Sequence, residues 1–131
     1  MTTTGNRENI VKFYVERSLT TFTDAKILAN NNRWDSCLNR LYYACFYMVY
    51  ALLVQKIDVR AKTHSGIKTL FNEQILMQGL VEKKSGTFYA SLMKRRNEND
   101  YGDFEISTAE DVLPLISQAE AFINTIQKLI L

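Results

Sequence analysis

Ile10, Phe13, Tyr14, Leu19, Phe22, Ala25, Ile27 and Leu28 recur at the spacing of a helix with one buried face. Arg17 is the one charged residue within that stripe. The pattern predicts a first helix from Asn6 to Asn30. Asn30-Asn31-Asn32 should stop it, because asparagine tolerates the left-handed backbone that ends helices. A second helix follows from Trp34 to Gln55, and its pattern is different. Leu41 to Val54 is apolar or aromatic on every side, and a helix of that kind is buried all round. A small bundle does not readily cover one helix on every face, so the expectation is a second copy of the chain packed at or near Leu41–Val54.

Three further helices can be read. The third starts at Thr63, an N-cap residue type, and runs to Gln78 with Gly79 as its stop. Ile67, Leu70, Phe71, Ile75 and Leu76 form its apolar face. The fourth runs from Ser85 to Asp100, with Phe88, Leu92 and one of Arg95 or Arg96 on related faces and Gly102 past its end. The fifth follows Ser107-Thr108 and carries Leu115, Ile116, Ala119, Phe122, Ile123, Ile126, Leu129 and Ile130 as a clean stripe. Its start can be read in two ways. Thr108-Ala109-Glu110-Asp111 resembles a capping box, which leaves Pro114 inside the helix; alternatively Asp111 is the cap and Pro114 lies in the first turn. The predicted fold is all-α, an up-and-down bundle of about five helices in a single domain over residues 1–131.

Composition supports that picture. With 5 glycines and 1 proline in 131 residues, breakers are too few for a sandwich or barrel. The net charge of +2 leaves no basic body, so any nucleic-acid contact must come from a local patch. Cys37 and Cys45 would lie about 12 Å apart on one helix, too far to bridge, and read as buried thiols in a reducing compartment. Residues 1–7 hold no apolar run or cleavage signal. The apolar run Leu41–Val54 spans 14 residues, short of the roughly 20 that cross a bilayer. The expectation is a soluble cytoplasmic protein without membrane contact.

The dense polar cluster is Lys94-Arg95-Arg96-Asn97-Glu98-Asn99-Asp100-Tyr101-Gly102-Asp103, at the end of the fourth helix. Arg96 and Asp100, four apart, share a face and can pair, as can Lys94 and Glu98. A solvated helix end with local ion pairs would look the same. His64, the single histidine, follows the Thr63 cap, where the helix dipole favours a neutral ring. One histidine makes no metal site, and no cofactor or metal is expected. Asn39 and Arg40 precede Tyr42 and Tyr43, whose side chains point about 100° apart. At least one tyrosine hydroxyl must therefore look inward and find a partner, and Arg40 is placed to reach Asp100 or Asp103. There is no phosphate loop, Gly-rich nucleotide fingerprint, metal-ligand spacing or serine nucleophile elbow.

Asn39-Arg40-Leu41-Tyr42-Tyr43-Ala44-Cys45-Phe46, Lys62-Thr63-His64-Ser65-Gly66 and Arg96 with Asp100-Tyr101-Gly102-Asp103-Phe104 resemble, in order, three motifs of small stand-alone HEPN (higher eukaryotes and prokaryotes nucleotide-binding) proteins. The resemblance implies a helical bundle that is usually dimeric. Many HEPN domains are metal-independent ribonucleases of defence or toxin–antitoxin systems, and many act beside a separate minimal nucleotidyltransferase. Their nuclease motif is R-x4-6-H, in which arginine stabilises the phosphate and histidine moves protons. Here Arg96 fits the arginine, but neither Asp100, four positions on, nor Tyr101, five positions on, is histidine.

The resulting expectation is a dimeric binding module, partner of a minimal nucleotidyltransferase, with nucleotide or RNA contacts through Arg40, His64, Arg95, Arg96 and Tyr101. Asn39, Tyr42, Tyr43 and Asp103 would form a structural polar network. The alternative is a metal-independent endoribonuclease in which Arg96, Asp100 and Tyr101 carry the chemistry.

Overall fold

The computed structural model describes residues 3–59, 63–101 and 107–130, and the side chains within 6–59, 63–97 and 107–130. Five helices run in chain order: α1 Thr3–Asn30, α2 Trp34–Ile57, α3 His64–Phe71, α4 Lys83–Tyr101 and α5 Ala109–Leu129. The all-α bundle expected from the pattern is what forms. Their ends follow side-chain chemistry. At the end of α1, Asn32 takes φ 59°; the Arg33 amide reaches the Leu28 carbonyl at 2.9 Å and the Asn32 amide reaches Ala29 at 3.0 Å. This is the paired bond pattern of a Schellman turn, with asparagine in the left-handed seat. Gly79 at φ 73° does the same after α3, where the Leu80 amide reaches Ile75 and the Gly79 amide reaches Leu76. The third helix differs from expectation in its last part, since Asn72–Leu76 is widened to a π-helical turn.

The two readings of the fifth helix resolve in favour of Thr108. Its hydroxyl accepts from the Asp111 amide, and the Asp111 carboxylate accepts from the Thr108 amide at 3.1 Å, a reciprocal capping box. Pro114 lies inside the helix, where it removes one amide that would have bonded the Glu110 carbonyl. Both residues are exposed, so water can take that carbonyl.

The central helix is α2. It packs along α1 and then against α5, α4 and α3. Leu41, Ala44, Cys45, Met48, Val49, Ala51, Leu53 and Val54 are wholly buried. The buried Ser18 hydroxyl donates to the Ala44 carbonyl at 2.7 Å and ties α1 to α2. This corrects the premise behind the expected second copy at Leu41–Val54. Four helices of its own chain already cover α2, leaving Tyr43, Phe46, Tyr47 and Tyr50 half-buried. The helix is also longer than its apolar run. At 24 residues it is long and apolar enough to cross a bilayer, yet 67% of its most apolar window is buried inside the bundle. Cys37 and Cys45 are buried free thiols, as expected, and burial pushes the Cys37 thiol up to about 11.

Helix α1 is turned from the expected stripe. Phe13, Leu19 and Ile27 are exposed, while Val11, Ser18, Thr21, Phe22, Ala25 and Ala29 are buried. The buried set keeps helical spacing but uses small residues, which let α1 approach α2 closely.

Thr63 caps α3. Its hydroxyl accepts from the Gly66 amide at 3.0 Å. Thr63→Val keeps the shape and removes this bond. It is expected to cost about 0.5–2 kcal/mol and to lower the melting temperature by a few degrees in a thermal scan. An unchanged melting curve would show that the cap contributes nothing.

Candidate active site

Three helices converge near the start of α3. Tyr42 and Tyr43 come from the middle of α2, His64 is the first residue of α3, and Tyr89 and Arg96 lie two turns apart on one face of α4. Tyr42 is fully buried, and its hydroxyl meets His64 Nδ1 at 2.8 Å. The imidazole is stacked on Phe46, with centroids 4.4 Å apart and planes 12° apart. The edge of Tyr43 closes a second side at 5.4 Å. The Thr63 cap sets where the helix starts, and the aromatic rings fix how the ring of the next residue lies.

Arg96 enters the same cluster from α4. Its guanidinium carbon stands 4.9 Å from the Tyr42 ring centre and 5.6 Å from that of Tyr43. Arg96 is 8% exposed, and its Nη2 donates to Asn97 Oδ1 at 2.7 Å. Arg40 approaches Tyr43 at 5.1 Å and is held there by bonds to Asn39 Oδ1 at 2.8 and 3.2 Å. Two guanidiniums therefore share one tyrosine ring beside the histidine. Arginine suits this role, because its weakly hydrated plane stacks on aromatics and still presents donors to an anion.

The electrostatics follow from burial and charge. Burial pushes the Tyr42 phenol up to about 12, against the pull of Arg96 and Tyr89, so it is protonated at neutral pH. Tyr89 is also buried, its pKa raised well above the ordinary value, and its hydroxyl sits beside that of Tyr42 without a well-formed hydrogen bond. His64 is lowered, first by loss of solvent and then by the Arg96 charge. The imidazole is thus neutral at pH 7. Two tautomers satisfy the Tyr42 contact. With the hydrogen on Nε2, Tyr42 donates to Nδ1. With the hydrogen on Nδ1, Tyr42 accepts, and Nε2 presents a lone pair that can take a proton.

One prediction concerns this histidine alone. It is the sole imidazole in the chain, so its ring signals in NMR report one group. The ring is expected to titrate below the usual 6.5, and Arg96→Gln is expected to move the midpoint upward. Because the folded value lies below the unfolded one, the unfolded chain takes up the proton first as pH falls. Stability from this group is therefore full above about 6.5 and is lost as pH drops through the folded value. A midpoint unmoved by Arg96→Gln would mean that the two groups are not coupled.

The structure gathers His64, Tyr42, Tyr43, Arg40, Asn39 and Arg96. It does not gather Arg95, which is half-buried on another face of α4 and acts on Asp111 at the start of α5. The side chains of Asp100 and Tyr101, and all of Asp103, lie outside the described residues, as does the expected reach of Arg40 toward them. Two members were missed by sequence reasoning. Tyr89 looked like an ordinary core position, one residue after Phe88 and three before Leu92. Phe46 was read as packing, though a phenylalanine four residues after Tyr42 is placed to face the same neighbour. Among the described residues, no three His, Cys, Asp or Glu side chains come together as a metal site.

The fold is that of an all-α helical-bundle class. The HEPN domain family matches residues 11–129, and the chain belongs to that family. It is 38% identical to the UPF0332 protein of Thermotoga maritima, over 96% of this chain and 95% of that one. It is 27% identical to UPF0332 protein glr0978 of Gloeobacter violaceus, over 84% and 87% of the two chains. A more distant relative, 24% identical over 87% of this chain and 77% of its own, is the Methanocaldococcus jannaschii protein named "Putative toxin MJ0142".

Proposed function

We propose that the chain is a metal-independent endoribonuclease. The observation that carries this reading is the placement of His64 against Tyr42 and Arg96. The histidine absent after Arg96 in sequence is supplied in space by α3. Arg96 holds the scissile phosphate and offsets its developing charge. His64 takes the proton of the ribose 2′-hydroxyl on Nε2, in the tautomer whose Nδ1–H is given to Tyr42. The 2′-oxygen bonds to phosphorus, the bond to the 5′-oxygen breaks, and that oxygen takes its proton from water. The products are a 2′,3′-cyclic phosphate end and a 5′-hydroxyl end. The toxin name of the methanococcal relative agrees with this reading. The reading places the chain in the cytoplasm, where the buried Cys37 and Cys45 would stay reduced.

The test is cleavage of single-stranded RNA by purified protein in EDTA. Arg96→Ala, purified in parallel, serves as control, and DNA of the same sequence serves as the substrate that lacks a 2′-hydroxyl. Wild type should cut RNA alone, and Arg96→Ala should lower the rate by about 10²–10³-fold, as loss of a preorganised charge stabiliser does. Equal cleavage by both proteins would refute the assignment.

A second reading is favoured by one observation: Tyr101, Gly102 and Asp103 stand at the positions where the motif histidine would fall after Arg96. In that reading the chain is a binding module, dimeric, with the same Arg96 and His64 holding a nucleotide or RNA beside a minimal nucleotidyltransferase. RNA bound in EDTA and left uncut by wild type would select it.

A further inference from the structure

The aromatic residues do not stop at the site. Tyr47 lies one turn beyond Tyr43 on α2, with ring centres 5.9 Å apart. Across from it on α1, the Arg17 guanidinium stands 5.1 Å from the Tyr47 ring and 5.9 Å from the ring of Phe13. Arg17 is exposed, Tyr43 and Tyr47 are half-buried, and Phe13 is 53% exposed. A continuous face of cations and rings therefore runs from Arg40 through Tyr43, Tyr47 and Arg17 to Phe13, with Arg96 and His64 at the Tyr43 end.

This face has the chemistry of a particular ligand. Bases stack on aromatic rings and on guanidinium planes, and phosphates take arginine donors. A chain with net charge +2 can bind a polyanion only through such a local patch. Along α2 the sole carboxylate is Asp35 in its first turn, where it accepts the Ser107 amide at 2.8 Å, and α3 has none. On α1, the residues one turn either side of Arg17 are Phe13, Tyr14, Thr20 and Thr21, again without an acid. A second copy laid on this face by a two-fold axis would bring guanidiniums against guanidiniums, and the one carboxylate described on α2 and α3, Asp35, is already engaged by the Ser107 amide. A polyanion with exposed base faces meets both guanidiniums and all three rings; the acid nearest them on α1 is the exposed Glu16, next to Arg17 and three residues after Phe13.

We propose that single-stranded RNA lies along this face, its bases on Tyr43, Tyr47 and Phe13 and its phosphates at Arg40 and Arg17, and that the strand enters the His64–Arg96 site from the Tyr43 end. The track takes its ligand from the nuclease reading, but binding and cleavage can be measured separately. The probe is a fluorescently labelled 12-nucleotide oligouridylate with 2′-O-methyl riboses, which cannot be cut, titrated with the full chain in EDTA and followed by anisotropy. Phe13→Ser, Tyr47→Leu and Arg17→Gln, each first shown to melt like wild type, should bind about ten-fold more weakly. Arg17→Gln should also reduce the slope of log affinity against log salt by about one. A duplex of equal length should bind more weakly than the single strand, because its base faces are already stacked.

Cleavage of the dinucleotide UpA, which reaches only the site, should be unchanged in these three variants. Wild type that ignores the single strand would overturn the track. So would variants that bind as wild type does, a duplex bound as tightly, or a loss of binding that simply follows dissociation of a dimer. RNA bound along the track by a wild type that never cuts would leave the track standing and end the nuclease reading. Cleavage with binding indifferent to Phe13, Tyr47 and Arg17 would do the reverse.

Discussion

His64→Gln is expected to slow RNA cleavage in EDTA by about 10²–10⁴-fold, the usual contribution of a positioned general acid–base. Glutamine roughly matches the imidazole in reach and can still accept from Tyr42, but it cannot take a proton near neutral pH. Binding of uncleavable RNA should therefore change much less than turnover, since Arg96 and Arg40 remain. The wild-type rate should rise with pH and level off, with its midpoint below 6.5, because burial and Arg96 both disfavour the charged imidazole. That rise should vanish in His64→Gln. Gel-resolved cleavage of a labelled RNA across a pH series measures both. A variant that cuts at the wild-type rate would move the proton transfer to another group and remove the reason for assigning nuclease chemistry to this cluster.

How much of this was written in the sequence depends on the distance over which each signal acts. Caps and stops act over a few residues, and local rules placed Asn32, Thr63 and Gly79 and narrowed the start of α5 to Thr108 or Asp111, of which Thr108 is the cap. The all-round apolar character of α2 correctly marked a central helix. The argument from there to a second copy treated the bundle as too small to wrap one helix, whereas α1, α3, α4 and α5 all reach it, so the apolar character of α2 does not by itself call for a partner. The face of α1 was misjudged because bulk was read as burial. Phe13 points outward, while Ser18 is buried with its hydroxyl on the Ala44 carbonyl. The candidate site was legible in pieces. Arg96 and the Tyr42–Tyr43 pair stood out, but periodicity relates residues within one helix only. It could not bring His64 to a partner 22 residues away. Periodicity put only one of Arg95 and Arg96, about 100° apart on α4, toward the core, but it could not say which one.

Tyr42 is the residue on which stability and chemistry meet, and two substitutions should separate them. Its ring touches Tyr43, Phe46, His64 and Tyr89 and lies under Arg96, all from a position with no solvent exposure. Tyr42→Ala empties that volume and is expected to cost about 3–5 kcal/mol, as other large aromatic truncations in cores do. Domains of this size are stable by only about 5–15 kcal/mol, so the variant should melt far below wild type or fail to fold. Tyr42→Phe keeps the ring and removes one oxygen. Its stability cost should be near 1 kcal/mol, the net worth of a typical hydrogen bond. Its effect on cleavage should be larger than that figure suggests. Without the hydroxyl, nothing on α2 holds Nδ1 in the tautomer that leaves Nε2 free, while the stacking on Phe46 keeps the ring in place. Thermal melts and cleavage rates of the two variants, measured side by side, test this division. If Tyr42→Phe loses turnover only in proportion to its loss of folded protein, the hydroxyl is structural; if turnover falls ten-fold or more in fully folded protein, the Tyr42–His64 contact sets the proton transfer.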